Sequence, residues 1–143
     1  MSRVMALDYG TKAMGVAVSD ELRLTARPLT TLRRQKLSDA QVAAHVVELI
    51  TEYEVALLLV GLPLNMDGTR GAAVAKVERF VAHLQAHADV PIQMPIQMID
   101  ERLTSREADA RLREQGADAR ERKAKSDEYA ALILLEDFLA GVA

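Results

Sequence analysis

Hydrophobic residues recur along this chain in two rhythms, as short apolar blocks and as longer stretches with helical spacing. Val4 to Leu7 and Met14 to Ser19 are apolar blocks on either side of Gly10-Thr11-Lys12, which predicts two strands joined by a hairpin turn. Ala26 to Thr30 predicts a weaker third strand, interrupted by Pro28. Ser38 is placed to cap a helix running to about Glu52, and Val42, Val46, Leu49 and Ile50 recur at helical spacing within it. Val55 to Val60 is a continuous apolar run ended by Gly61-Leu62-Pro63. Such a run suits a strand buried on both faces, and so implies helices on both sides of a sheet. Asn65-Met66-Asp67-Gly68 predicts a turn, and a helix follows from about Gly71 to Ala86.

Pro91-Ile92-Gln93-Met94 is repeated at once as Pro95-Ile96-Gln97-Met98. Pro95 removes a ladder donor, so the next strand is expected at Ile96 to Asp100, with the first copy lengthening the loop before it. Thr104-Ser105-Arg106-Glu107 has capping-box spacing and opens a predicted helix to about Gln115, stopped by Gly116. A last helix is expected from about Ser126 to Ala140, stopped by Gly141. This order describes an α/β fold around a mixed five-stranded sheet: three antiparallel strands, then parallel ones, flanked by helices. A length of 143 residues suits one domain spanning 1–143.

Composition narrows the function. There is no cysteine, which excludes a disulfide framework and a thiolate metal site. No apolar run reaches the roughly 18 residues of a membrane span, and the N-terminus meets charge within a few residues, so a cytoplasmic location is expected. A net charge of −3 argues against coating nucleic acid through bulk positive charge. Three Tyr, two Phe and no Trp leave little for a base-stacking platform. A nucleic-acid partner would therefore be met through its phosphates.

Acidic residues stand out at three borders of predicted elements. Asp8 closes the first strand, Asp100 and Glu101 close the Ile96 strand, and Asp127 is expected in the first turn of the last helix. Asp127 shares an apolar helix face with Ala130, Ala131 and Leu134. Strands of an open α/β sheet end together at the edge where ligands bind. Two carboxylates about 5 Å apart repel by roughly 3 kcal/mol at an effective dielectric near 20, so a converging cluster calls for a cation. An all-oxygen donor set favours Mg²⁺ or Mn²⁺, the ions of phosphodiester hydrolysis. Each acid also has a plainer reading, as a solvated strand end or a helix-dipole partner. Strand parity leaves Asp100 and Glu101 equally open.

The residues themselves now resemble a known family. Leu7-Asp8-Tyr9-Gly10-Thr11-Lys12 with Gly15-Val16-Ala17-Val18-Ser19-Asp20 resembles the opening of the YqgF/RuvX family. Val60 to Thr69 resembles its second motif, Asp100-Glu101-Arg102-Leu103-Thr104-Ser105 its third, and Asp127 with Ala130 to Leu134 its last. The motifs come in the family's order and span nearly the whole chain. The resemblance implies a ribonuclease H-like fold, a nuclease maturing the 5′ end of pre-16S ribosomal RNA, and kinship with Holliday-junction resolvases. It puts the acidic triad, catalytic and metal-binding alike, on Asp8, Glu101 and Asp127. Thr11, Lys12, Asn65, Arg70, Arg102 and Thr104, in or beside these motifs, are candidate substrate contacts. The chain departs from the family at Ala13, usually basic, and at Ser105, where Thr is common.

Arg111, Arg113, Arg120, Arg122, Lys123 and Lys125 cluster around an expected loop before Asp127. They read either as a solvated face or as a mobile grip on phosphates, with Arg120, Arg122 and Lys123 as the contacts. His83 and His87 have a spacing that can bind zinc, but exposed histidines near a helix C-terminus are the plainer reading, and His45 is a polar helix position. The expected partner is nucleic acid, either an rRNA precursor or branched or single-stranded DNA, with the ribosome as a further candidate. Monomer and homodimer both remain open. Two other function classes fit parts of the chain: an actin-like nucleotide-binding module, since Asp-X-Gly-Thr opens such hairpins too, and a non-catalytic RNA- or ribosome-binding factor. The first needs two such domains, and the second does not explain three retained acids.

Overall fold

The computed structural model describes residues 2–10, 12–87, 94–101 and 104–141, with backbone only at 104–106, 123 and 124. Strands β1 (Arg3–Asp8), β2 (Ala13–Ser19) and β3 (Ala26–Arg33) form an antiparallel meander. Strand β4 (Val55–Leu62) pairs parallel with β1, and β5 (Ile96–Asp100) parallel with β4. The resulting order is β3-β2-β1-β4-β5, the mixed sheet expected from the sequence. Crossovers α1 (Asp39–Glu52) and α2 (Ala72–Ala86) join the parallel strands, and α3 (Thr104–Glu114) and α4 (Ala119–Leu139) close the chain.

Strand alternation divides the apolar residues between two cores. Met5, Leu7, Met14, Val16, Leu58 and Val60 point to one face and pack with Val42, Val46, Phe80 and Leu84 of α1 and α2. Val4, Ala6, Ala17, Leu59 and Ile99 point to the other and pack with Ala131, Leu134 and Leu135 of α4. Each large side chain buried here contributes roughly 1.5–3 kcal/mol. β4 is thus covered on both faces, as its unbroken apolar run implies. Helix α1 starts with a capping box between Ser38 and Gln41, worth about 1 kcal/mol. Pro95 lies just before β5, outside the ladder. Residues 91–93 of the repeat fall outside the described residues.

Two sequence expectations need correction. Pro28 does not interrupt β3. This is an edge strand, and the register shifts between Val16↔Thr30 and Ala17↔Pro28, leaving Leu29 as a bulge that absorbs the proline. Nor is there a loop before Asp127. Helix α4 begins at Ala119, because Asp118 is its N-cap and accepts the Glu121 N–H at 2.9 Å. Asp127 therefore sits two turns inside the helix rather than in its first turn. Gly116, at φ +80°, ends α3, and the Ala117 N–H reaches back to the Leu112 carbonyl at 3.0 Å. Among the described residues no helix is long and apolar enough to cross a membrane.

Candidate active site

The sheet face that carries α4 is set by residue parity. On β1, Val4 and Ala6 face α4, so Asp8 continues that row. On β5, Ile99 faces α4 while Ile96 and Met98 pack into the opposite core. The alternation turns Asp100, which is exposed, to the α1–α2 side, and Glu101 to the α4 side. Asp8 and Glu101 are therefore brought together at the C-terminal edge of the parallel strands, and α4 carries Asp127 to the same edge.

Two glycines make this convergence possible. Gly15 is the cross-strand partner of Asp8, and a Cβ there would occupy the main-chain carbonyl of Asp127. Only a glycine lets α4 lie this close to β2. Gly61, near the end of β4, lies under the Glu101 carboxylate, and a Cβ there would collide with Oε2. Nothing in local sequence pattern points to either role, because each depends on an element far away in the chain.

Electrostatics tie the acids to one another. Burial raises the Asp8 carboxyl well above the ordinary aspartate range, aided by a hydrogen bond to Glu101 and by the negative charges of Glu101 and Asp127. Burial also raises Glu101, as do the charges of Asp100 and Asp127, while the hydrogen bond from Asp8 holds it down. The two carboxyls thus lie within hydrogen-bond reach of each other, and each is pushed toward its protonated form. Burial raises Asp127, and the Arg33 guanidinium opposes that shift. Arg33 belongs on the α4 face because the Leu29 bulge resets strand parity. Two residues earlier, Thr31 donates to Glu128 on α4 at 3.1 Å. Arg33 pairs directly with Ala13, the position that departs from the family pattern.

The donor set fits a hard divalent cation. It is oxygen only, and a cation can take the place of a proton between two neighbouring carboxyls. Among the described residues, no group of three His, Cys, Asp or Glu side chains is placed to hold a metal ion together. Asp127 acts on the other two through its charge.

The candidate substrate contacts divide. Lys12 is exposed on the hairpin at the site. Arg120 is exposed seven residues before Asp127, hence on the same helix face and about 10 Å up the axis. Arg122 is engaged within the fold. It donates to Asp109 at 2.9 Å and to the Ala117 carbonyl at 3.0 Å, locking α3 against α4. Asn65 braces its own loop, its amide donating to Thr69 at 2.9 Å, while Gly68 takes φ +87°. Arg70 pairs with Glu78 on the surface at 3.1 Å. Thr11 and Arg102, and the side chains of Thr104 and Lys123, lie outside the described residues.

A mixed sheet in this order, with carboxylates gathered where its parallel strands end, defines a nuclease of ribonuclease H-like fold. The RuvX family model, described as Holliday junction resolvase, matches residues 2–141, and this chain belongs to that family. A relative from Moorella thermoacetica is 43% identical over 137 residues, covering 96% of this chain and 94% of its own. One from Roseiflexus sp. (strain RS-1) is 42% identical over 137 residues, covering 96% and 93%. Both carry the name "Putative pre-16S rRNA nuclease". Thermus thermophilus RuvC in complex with Holliday junction substrate shares the fold at a TM-score of 0.58 and 18% identity, covering 100% of this chain and 97% of that one. The fowlpox virus resolvase, with its substrate Holliday junction DNA, does so at 0.54 and 10%, covering 98% of each. Nucleases of this fold generally use divalent metals.

Proposed function

We propose that this chain hydrolyses phosphodiester bonds in the 5′ region of pre-16S ribosomal RNA, in the cytoplasm, using Asp8, Glu101 and Asp127 as its acidic triad. What supports this reading is the convergence of Asp8, Glu101 and Asp127 at one edge of the sheet, where burial and mutual repulsion raise the Asp8 and Glu101 carboxyls. Carboxylates drawn together repel one another, and a site that binds cations gives them a use. Bound there, Mg²⁺ or Mn²⁺ would supply a Lewis acid that activates water and neutralises the leaving oxygen. The chain's own part is to present oxygen donors from three elements and to exclude solvent beneath Ile99 and Leu134. Lys12, Arg33 and Arg120 supply positive charge around the acidic centre, where a phosphate backbone would run. The names of the relatives support ribosomal RNA as substrate; the family description favours a branched DNA instead.

The test is a cleavage assay on pre-16S RNA fragments, single-stranded DNA, duplex DNA and four-way junctions, with Mg²⁺ or Mn²⁺. RNA cleavage that vanishes in EDTA, in Asp8→Asn and in Glu101→Gln, yet survives in Asp100→Asn, is expected. Junction cleavage without RNA cleavage would move the substrate to DNA. Activity that persists in both EDTA and Asp8→Asn would remove the site altogether.

A further inference from the structure

Among the described residues outside the acidic site, Ser19 and Arg34 are the polar or charged side chains buried within the fold. Ser19 has a local task, accepting the Val4 N–H at 2.8 Å and donating to the Asp20 carbonyl at 2.9 Å. Arg34 is different. It follows β3 directly, and the strand parity that sends Arg33 toward α4 sends Arg34 to the opposite face, under the β1–β2 turn. There its Nη1 donates to the Gly10 carbonyl at 3.1 Å, its Nη2 pairs with Asp39 at the start of α1, and its guanidinium lies 5.0 Å from the centroid of the Tyr9 ring. The Arg34 main-chain N–H holds the other limb of the turn, at the Lys12 carbonyl, at 3.0 Å. Tyr9 is fixed in turn by Phe80, with ring centroids 5.4 Å apart, and by a 3.3 Å hydrogen bond to Asp39.

Stability alone does not account for this arrangement. A buried ion pair is often no more stabilising than apolar side chains of similar size. Here Arg34 Nε is also buried with no acceptor among the described residues. What the guanidinium does accomplish is geometric. It grips Gly10 and Tyr9, the two residues that follow Asp8, from the side of the sheet away from Glu101.

We propose that Arg34 is a positioning residue for cleavage, fixing the Asp8–Gly10 turn so that the Asp8 carboxylate meets Glu101. This rests on Asp8 being a carboxylate of the active site. It adds a role that lies on the other face of the sheet from the acids and touches neither substrate nor ion.

The test compares full-length Arg34→Met and Arg34→Lys with Val46→Ala, a core truncation in α1 remote from the turn. Melting temperature, kcat and KM on one RNA substrate, and Mn²⁺ affinity by the electron spin resonance of free Mn²⁺ are measured for each. Arg34→Met is expected to lose roughly 10- to 100-fold in kcat and to bind Mn²⁺ more weakly, with KM little changed. Val46→Ala should keep near wild-type values of all three while melting lower. Arg34→Lys, which keeps the charge but not the fork, should recover part of the loss, and it carries the test if Arg34→Met does not fold. Arg34 variants with normal kcat and Mn²⁺ affinity, whatever their melting temperature, would overturn the proposal, as would a rise in KM alone. If wild type cleaves nothing yet Arg34→Met still weakens Mn²⁺ binding, the positioning role stands and the nuclease substrate reading fails.

Discussion

Asp8 shows how a single carboxyl can report the state of the site. Its raised value means that the folded, metal-free protein binds a proton there more tightly than the unfolded chain does. Stability from this group is complete below the ordinary aspartate value of 3.8 and is lost as pH rises through the folded value. Asp8→Asn should therefore melt above wild type in EDTA at neutral pH, and the gap should close as pH falls below about 4. Melts across that range decide it, and a gap independent of pH would place the effect in packing rather than ionisation. Because divalent-ion binding must expel the same proton, Mn²⁺ affinity should fall as pH is lowered. Gly61 offers a steric counterpart. Gly61→Ala places a methyl group where Glu101 folds, so it should weaken Mn²⁺ binding by roughly tenfold or more. Val60→Ala on the same strand should cost stability and spare the ion, and a Gly61→Ala protein with normal Mn²⁺ affinity would show that Glu101 does not need that space.

Among the elements, α4 separates what was legible from what was not. Its apolar C-terminal half reads as a helix from spacing, but Arg120 to Lys125 is charged except for Ala124 and reads as loop. The helix extends through it because Asp118 caps it and because Arg122 reaches back to Asp109 and Ala117, partners supplied by α3. Such a contact between two helices leaves no periodic trace. β3 was underestimated for a related reason, since a bulge tolerates Pro28 only at a sheet edge, and edge position is a property of the whole sheet. Parity, by contrast, separates Asp100 from Glu101 once Met98 and Ile99 are assigned to their faces, an assignment that needs tertiary packing. The corrected α4 changes what its arginines should do. Arg122→Ala should destabilise by about 1–3 kcal/mol, since Asp109 loses a charged partner, and leave the salt dependence of RNA binding unchanged. Arg120→Ala should leave stability alone and lower the salt slope by about 1. Denaturant melts and binding titrations in rising salt test both, and a flattened slope for Arg122→Ala would return it to the nucleic-acid surface.

At the scale of the whole molecule, folding brings negative charges together before any ion is present, so stability and ion binding are coupled. Burial makes the fold oppose the charge on Asp127, even with Arg33 nearby, and Asp127 adds to the repulsion felt by Asp8 and Glu101. It lies two turns inside α4, so no helix-dipole contribution is lost on neutralising it. In EDTA at neutral pH, Asp127→Asn should therefore melt at or above the wild-type temperature. An ion that binds only the folded state stabilises it by RT ln(1 + [L]/Kd), about 1 kcal/mol at a few times the dissociation constant. Wild type should gain that much on adding Mg²⁺. Asp127→Asn should gain less, having lost one donor, and Val46→Ala, whose defect lies in the opposite core, should gain as much as wild type from a lower starting point. The three proteins, melted with EDTA and over a Mg²⁺ series, separate an ion ligand from a structural acid. If Asp127→Asn instead melts lower by the same amount at every Mg²⁺ concentration, Asp127 serves the packing of α4 on β2 at Gly15, and the ion would have to be held by Asp8 and Glu101 without it.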